Sequence, residues 1–128
     1  MNKNLSLAAI LGFLAVVLGA FGAHTLKSKI GLEQLKVFET GVKYQMYHVL
    51  VLLFVNSYSG FSKKIKNRVS LFFFIGILLF SGSLYLLSTG VLPPKLIGPV
   101  TPLGGLFFII GWLYLAFQFF KNETDTTV

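Results

Sequence analysis

Residues 42–58 read VKYQMYHVLVLLFVNSY, and whether this stretch crosses a bilayer decides the architecture of the chain. Tyr47 to Val55 is apolar or aromatic apart from His48, whereas Tyr44, Gln45, His48 and Asn56 are polar. A run of this length can span as a helix if its polar residues face protein rather than lipid. Placed on a helix, Gly41, Gln45, His48, Leu52 and Asn56 recur at spacings of four, three, four and four, which makes a single stripe. The stretch is therefore read as a span with an inward polar stripe.

Three cleaner runs flank it. Working outward, the expected spans are residues 5–23, 42–58, 69–88 and 103–120, each near the ~20 residues that cross a hydrocarbon core. The first has the outline of a signal peptide, but it is longer than the usual signal core and is read as a retained span. Composition agrees. Of 128 residues, 55% are hydrophobic and 12% charged, more apolar surface than a soluble domain of this size can bury. The mean hydropathy is +0.78. The expected fold is an all-α integral membrane protein, a single domain over residues 1–128 with four transmembrane helices in a bundle.

The connections carry the charge. Residues 24–41 mix Leu26, Ile30, Leu32, Leu35 and Phe38 with Lys27, Lys29, Glu33, Lys36 and Glu39, which predicts a short amphipathic segment from Leu32 at the headgroups. The second connection, 59–68, holds Lys63, Lys64, Lys66 and Arg68. The third, 90–101, contains Pro93, Pro94 and Pro99, which should keep it extended. Thr101 is the expected N-cap of the last helix, with Pro102 at its first position. With four spans, six basic residues fall on the side of the termini and five on the other. The dense cluster in the short second connection favours cytoplasmic termini in a multi-pass cell-membrane protein.

Small residues are the expected glue, because apolar side chains gain little by leaving lipid for one another. Ala8, Gly12, Ala15, Gly19 and Ala23 form one face of the first span. Gly76 and Gly82 in the third span, and Gly104, Gly105 and Gly111 in the fourth, are the further packing candidates. Thirteen glycines in all argue for close helix contact and not a wide cavity.

Five stretches together resemble one bacterial family. They are Gly19-Ala20-Phe21-Gly22-Ala23-His24, Tyr44-Gln45-Met46-Tyr47-His48, Phe80-Ser81-Gly82-Ser83-Leu84-Tyr85, Thr101-Pro102-Leu103-Gly104-Gly105 and Gly111-Trp112. The set resembles domain of unknown function family 423, the YgdD/YwdK-like small inner-membrane proteins, to which an animal transmembrane family is related. The resemblance implies four spans and no established activity, and it carries over no catalytic residues.

The chemistry on offer is sparse. There is no cysteine, and no carboxylate occurs between Tyr44 and Asn122. Proton- or cation-coupled transport and metal-assisted hydrolysis lack their usual acidic groups, and no motif supports a Ser–His nucleophile. His24, Glu33, Glu39 and His48 lack the i, i+3 or i, i+4 spacing of helical metal ligands. No catalytic site, metal or cofactor is expected. The candidate site is a small polar pocket of His24, Gln45, His48, Ser81 and Ser83. The bland reading of the same residues is a set of hydrogen bonds that fixes helix packing. Tyr44, Tyr47, Tyr58, Tyr85, Trp112 and Tyr114 read as interfacial anchors or core aromatics.

The expected function is thus non-enzymatic, an accessory or scaffold subunit that binds lipid or a membrane partner. The alternative is a passive channel or carrier for a small solute, built by a homo-oligomer around the His48 stripe. Expected partners are membrane lipids, further copies of the chain or another membrane protein, and not nucleic acid.

Overall fold

In a computed structural model that describes residues 2–126, every regular element is helical. Helix α1 (Lys3–His24) starts at Asn2, whose side chain accepts from the Leu5 N–H at 3.2 Å. A 3₁₀ turn (Leu26–Ser28) leads to α2 (Leu32–Ser57), a continuous helix of 26 residues. The expected amphipathic segment is therefore not a separate element. No proline interrupts 32–57, and Gly41 alone costs only about 1 kcal/mol of helix propensity, so the helix runs through. Its first turns keep the amphipathic pattern, with Leu35 and Phe38 buried and Glu33, Lys36 and Glu39 exposed.

The third apolar run begins earlier than the sequence suggested. Ser62 caps α3 (Lys63–Gly76), accepting from the Ile65 N–H, so the basic cluster forms the first turns of the helix instead of a loop. One wide turn (Ile77–Ser81) follows, in which the Gly82 N–H reaches back five residues to Ile77 O. The helix resumes as α4 (Gly82–Ser88). Gly90, at φ 73°, ends it, with Gly90 N–H bonded to Leu87 O and Val91 N–H to Leu86 O. That pair of bonds is the left-handed helix stop that glycine allows.

The proline connection is also more ordered than expected. Pro93 is extended, but Pro94 opens a single helical turn, α5 (Pro94–Ile97), since its fixed φ suits a first helical position. Helix α6 (Val100–Thr126) starts before Thr101, so Thr101 lies within the first turn and does not cap it.

Helix α2 lies at the centre. It packs on one side against α1 and on the other against α3, the wide turn and α4, while α6 lies along α3 and the wide turn. The main core joins Ala8, Val49, Leu52, Val55, Phe73, Phe108 and Leu115. A smaller one joins Leu26, Leu35 and Phe38 at the opposite end. Three segments, Lys3–Ser28, Lys63–Ser88 and Pro94–Lys121, are long and apolar enough to cross a membrane. Their outer faces are apolar too: Phe13 is 66% exposed, Leu78 72% and Phe120 70%, an outer surface suited to lipid.

Candidate functional site

The stripe of α2 is buried along its whole length, with Gln45, His48 and Asn56 each at most 4% exposed. Burial obliges each polar atom to find a partner, because an unpaired one costs several kcal/mol in an apolar medium. Gln45 Nε2 donates to Leu11 O at 2.7 Å, and Tyr85 OH donates to Gln45 Oε1 at 2.6 Å. One amide thereby joins α1, α2 and α4.

One turn further along, His48 is held from both ring nitrogens. Nδ1 lies 2.7 Å from Tyr44 O, and Trp112 Nε1–H donates to Nε2 at 3.1 Å. A carbonyl only accepts and an indole N–H only donates, so the arrangement selects the neutral ring with its proton on Nδ1. The imidazole also stacks on Phe108, with centroids 3.7 Å and planes 8° apart.

The serines close contacts between other helices. Ser81 Oγ donates to Gly41 O at 2.7 Å, and Ser83 Oγ lies 2.6 Å from Thr101 Oγ1. At the far end of the stripe Asn56 donates to Leu52 O and Ser70 Oγ, and accepts from Asn4. Among the described residues no buried side-chain nitrogen or oxygen lacks a partner.

Among the described residues the five pocket candidates are therefore not joined to one another by side-chain hydrogen bonds. Gln45 and His48 are neighbours on α2 but bond to different helices. Ser81 and Ser83 bond to Gly41 and Thr101, and not to either of them. His24 is exposed at the end of α1 and stands apart from the buried stripe. Tyr85 and Trp112, read from sequence as anchors or core aromatics, supply hydroxyl and indole donors to the buried network. Among the described residues no three His, Asp or Glu side chains converge as a metal site would require.

Glycine sets how closely the helices approach. A Cβ on Gly104 would run into the backbone at Phe80, and one on Gly76 into the Phe108 ring. At Gly111 it would meet Phe73 at 2.7 Å, and at Gly41 Tyr85 at 2.8 Å. Gly12 and Gly19 face Val49 and Val42 at 3.2 and 3.4 Å, and Gly105 makes only an ordinary contact at 3.8 Å. Gly82 is a correction: nothing lies within 4 Å of its Cβ direction, so it packs no helix. On α1 the buried small residues are Ala8, Ala15 and Gly22, while Ala23 is exposed.

Four of the five stretches behind the family resemblance meet one another in these contacts: Gln45 with Tyr85, His48 with Trp112, Ser83 with Thr101, and Gly104 against Phe80. The profile described as "Protein of unknown function (DUF423)" matches residues 18–105. The chain belongs to this family. A UPF0382 membrane protein of Staphylococcus saprophyticus is 44% identical over 121 residues, covering 94% of this chain and 99% of the relative. The UPF0382 membrane protein YwdK of Bacillus subtilis is 47% identical, over 90% of this chain and 94% of its own. The UPF0382 inner membrane protein YgdD of Escherichia coli is 40% identical, over 82% of this chain and 79% of its own. No solved structure matches. The family and its members' printed names place this chain among membrane proteins.

Proposed function

We propose that the chain is a non-enzymatic, four-span scaffold or accessory subunit that holds a lipid or a membrane partner. One observation supports this reading: among the described residues the buried polar side chains are paired within the protein, which leaves none of them an open hydrogen-bonding position for a solute. Helix α2 serves as the fourth span. Its polar stripe is turned inward, while Tyr47, Leu50 and Phe54 are each more than half exposed on the outside. Alternation of four helices then puts the termini and the Lys63–Arg68 turns on one side, the cytoplasmic side by the weight of that basic cluster. The single membrane domain supplies outer surface for binding and an interior that keeps its shape.

Flux into liposomes that contain the purified protein tests this. Leakage of small ions and neutral solutes should equal that of empty vesicles. Conduction above that level, lost in His48→Ala, would overturn the scaffold reading in favour of a passive channel.

A further inference from the structure

A cleft of about 710 Å³ opens at the end of the bundle where α1 and α3 begin. Its cationic wall comes from three lysines, Lys3 on α1 and Lys63 and Lys66 on α3. Among the described residues none that lines the cleft is acidic. The floor is built of asparagine amides. Asn4 Nδ2 bridges Asn56 Oδ1 at 3.0 Å and Asn67 Oδ1 at 2.9 Å, so one α1 side chain pins α2 and α3 together beneath the lysines. Lys66 is steadied by Asn56 O at 3.4 Å, and Asn56 is itself 4% exposed and bonded to Ser70. With the Asn67 oxygen engaged, its amide N–H groups are what that residue offers to the cleft. Two capped helix starts add the positive ends of their dipoles.

We infer that this lysine–asparagine cleft binds a phosphate group, either the headgroup of an anionic phospholipid or a free phosphate. Three ammonium groups supply charge, the amides supply directed donors, and the volume admits a phosphate with its first waters or the start of an ester substituent. Basic pockets beside transmembrane helices are suited to such headgroups. The inference deepens the scaffold reading, on which it rests for placing this end of the bundle at the membrane surface.

The test is a titration of the full-length protein in neutral detergent with short-chain phosphatidic acid, inorganic phosphate or short-chain phosphatidylcholine, read by native mass spectrometry and thermal stability. Phosphatidic acid should bind and stabilise, while phosphatidylcholine should not. Lys3→Gln with Lys63→Gln should weaken binding roughly ten- to thirtyfold, at about 1 kcal/mol per lysine. Lys27→Gln with Lys29→Gln, the same charge change at the opposite end, should weaken it less than twofold. Lys3→Arg with Lys63→Arg should retain binding, which separates lost charge from lost folding. If inorganic phosphate displaces phosphatidic acid, the free anion is the ligand; if it does not, the headgroup is. Equal weakening by both Gln pairs, equal binding of phosphatidylcholine, or no binding of either phosphate probe overturns the inference. None of these readouts measures conduction, so this site can fail without the scaffold reading failing, and the reverse.

Discussion

His48 lies flat against Phe108 with ring centroids 3.7 Å apart, and Trp112 from the same helix as Phe108 donates to its Nε2. The histidine therefore acts as a double latch between α2 and α6, one part dispersion and one part hydrogen bond. The Phe108 ring is held in turn from behind, since Gly76 on α3 leaves it room.

Trp112→Phe keeps the aromatic bulk and removes the donor, so unfolding in detergent should show a loss of about 1 kcal/mol. His48→Leu should cost more, because the stacking goes too and Trp112 Nε1–H is left unpaired. The double variant should be more stable than the two losses summed, with a coupling of roughly 0.5–2 kcal/mol. Additive losses would show that the 3.1 Å bond contributes nothing.

Tyr85→Phe removes the donor to Gln45 Oε1, with no other among the described residues to replace it, and leaves a buried carbonyl oxygen unpaired. The expected cost is about 1–3 kcal/mol. Gln45→Leu in the Tyr85→Phe background should recover part of it, because no orphaned oxygen remains, although Leu11 O then loses its extra donor. A double variant that is less stable than Tyr85→Phe alone would contradict this account.

The glycines should rank by what their Cβ would meet. Gly104→Ala drives a methyl into backbone at Phe80 and should cost about 1–3 kcal/mol. Gly12→Leu should cost more than Gly19→Leu, in line with 3.2 against 3.4 Å of clearance. Gly82→Ala meets nothing and should be neutral or stabilising by up to about 1 kcal/mol. Thermal unfolding of this series checks the order, and a Gly82→Ala loss as large as that of Gly104→Ala would defeat it.

Spacing alone makes the α2 stripe legible in the sequence, because burial of a helix face follows directly from the 3.6-residue period. The same rule exposed most of the small-residue face of α1, though it put Ala23 where Gly22 packs. Partners were not legible. Nothing in the local pattern distinguishes Tyr85 bonded to Gln45 from Tyr114, which sits partly buried against the core. That difference depends on which helices adjoin. Nor does a serine-glycine-serine run announce a wide turn, which arises where Gly41 and Gly104 bring two helices against it. The cleft escaped for the same reason: Asn4, Asn56 and Asn67 are far apart in sequence and meet only in the fold. The signal available was asparagine recurring beside lysine at helix starts.

Whether α2 crosses the membrane decides on which sides the two termini lie. Segments Lys3–Ser28, Lys63–Ser88 and Pro94–Lys121 qualify by length and hydropathy alone, and three crossings would leave the termini on opposite sides. Adding α2 brings them to the same side. The hydrogen bonds from Asn4 to Asn56 and Asn67 already place the start of α1 beside the end of α2 and the start of α3, as antiparallel neighbours require. Fusing paired reporters, one active only in the cytoplasm and one only outside, to each terminus in turn should give cytoplasmic signal at both. That outcome is expected because the basic residues in the first turns of α3 are dense, whereas Lys27, Lys29, Lys36 and Lys43 are dispersed along a segment shared with Glu33 and Glu39. Termini on opposite sides would remove α2 from the membrane and, with it, the four-span reading. Comparable signal from both reporters at one terminus would mean that copies insert both ways. The near parity of six basic residues against five makes charge reversal at Lys63, Lys64, Lys66 and Arg68 a sensitive control, which should invert the chain if that cluster sets the direction.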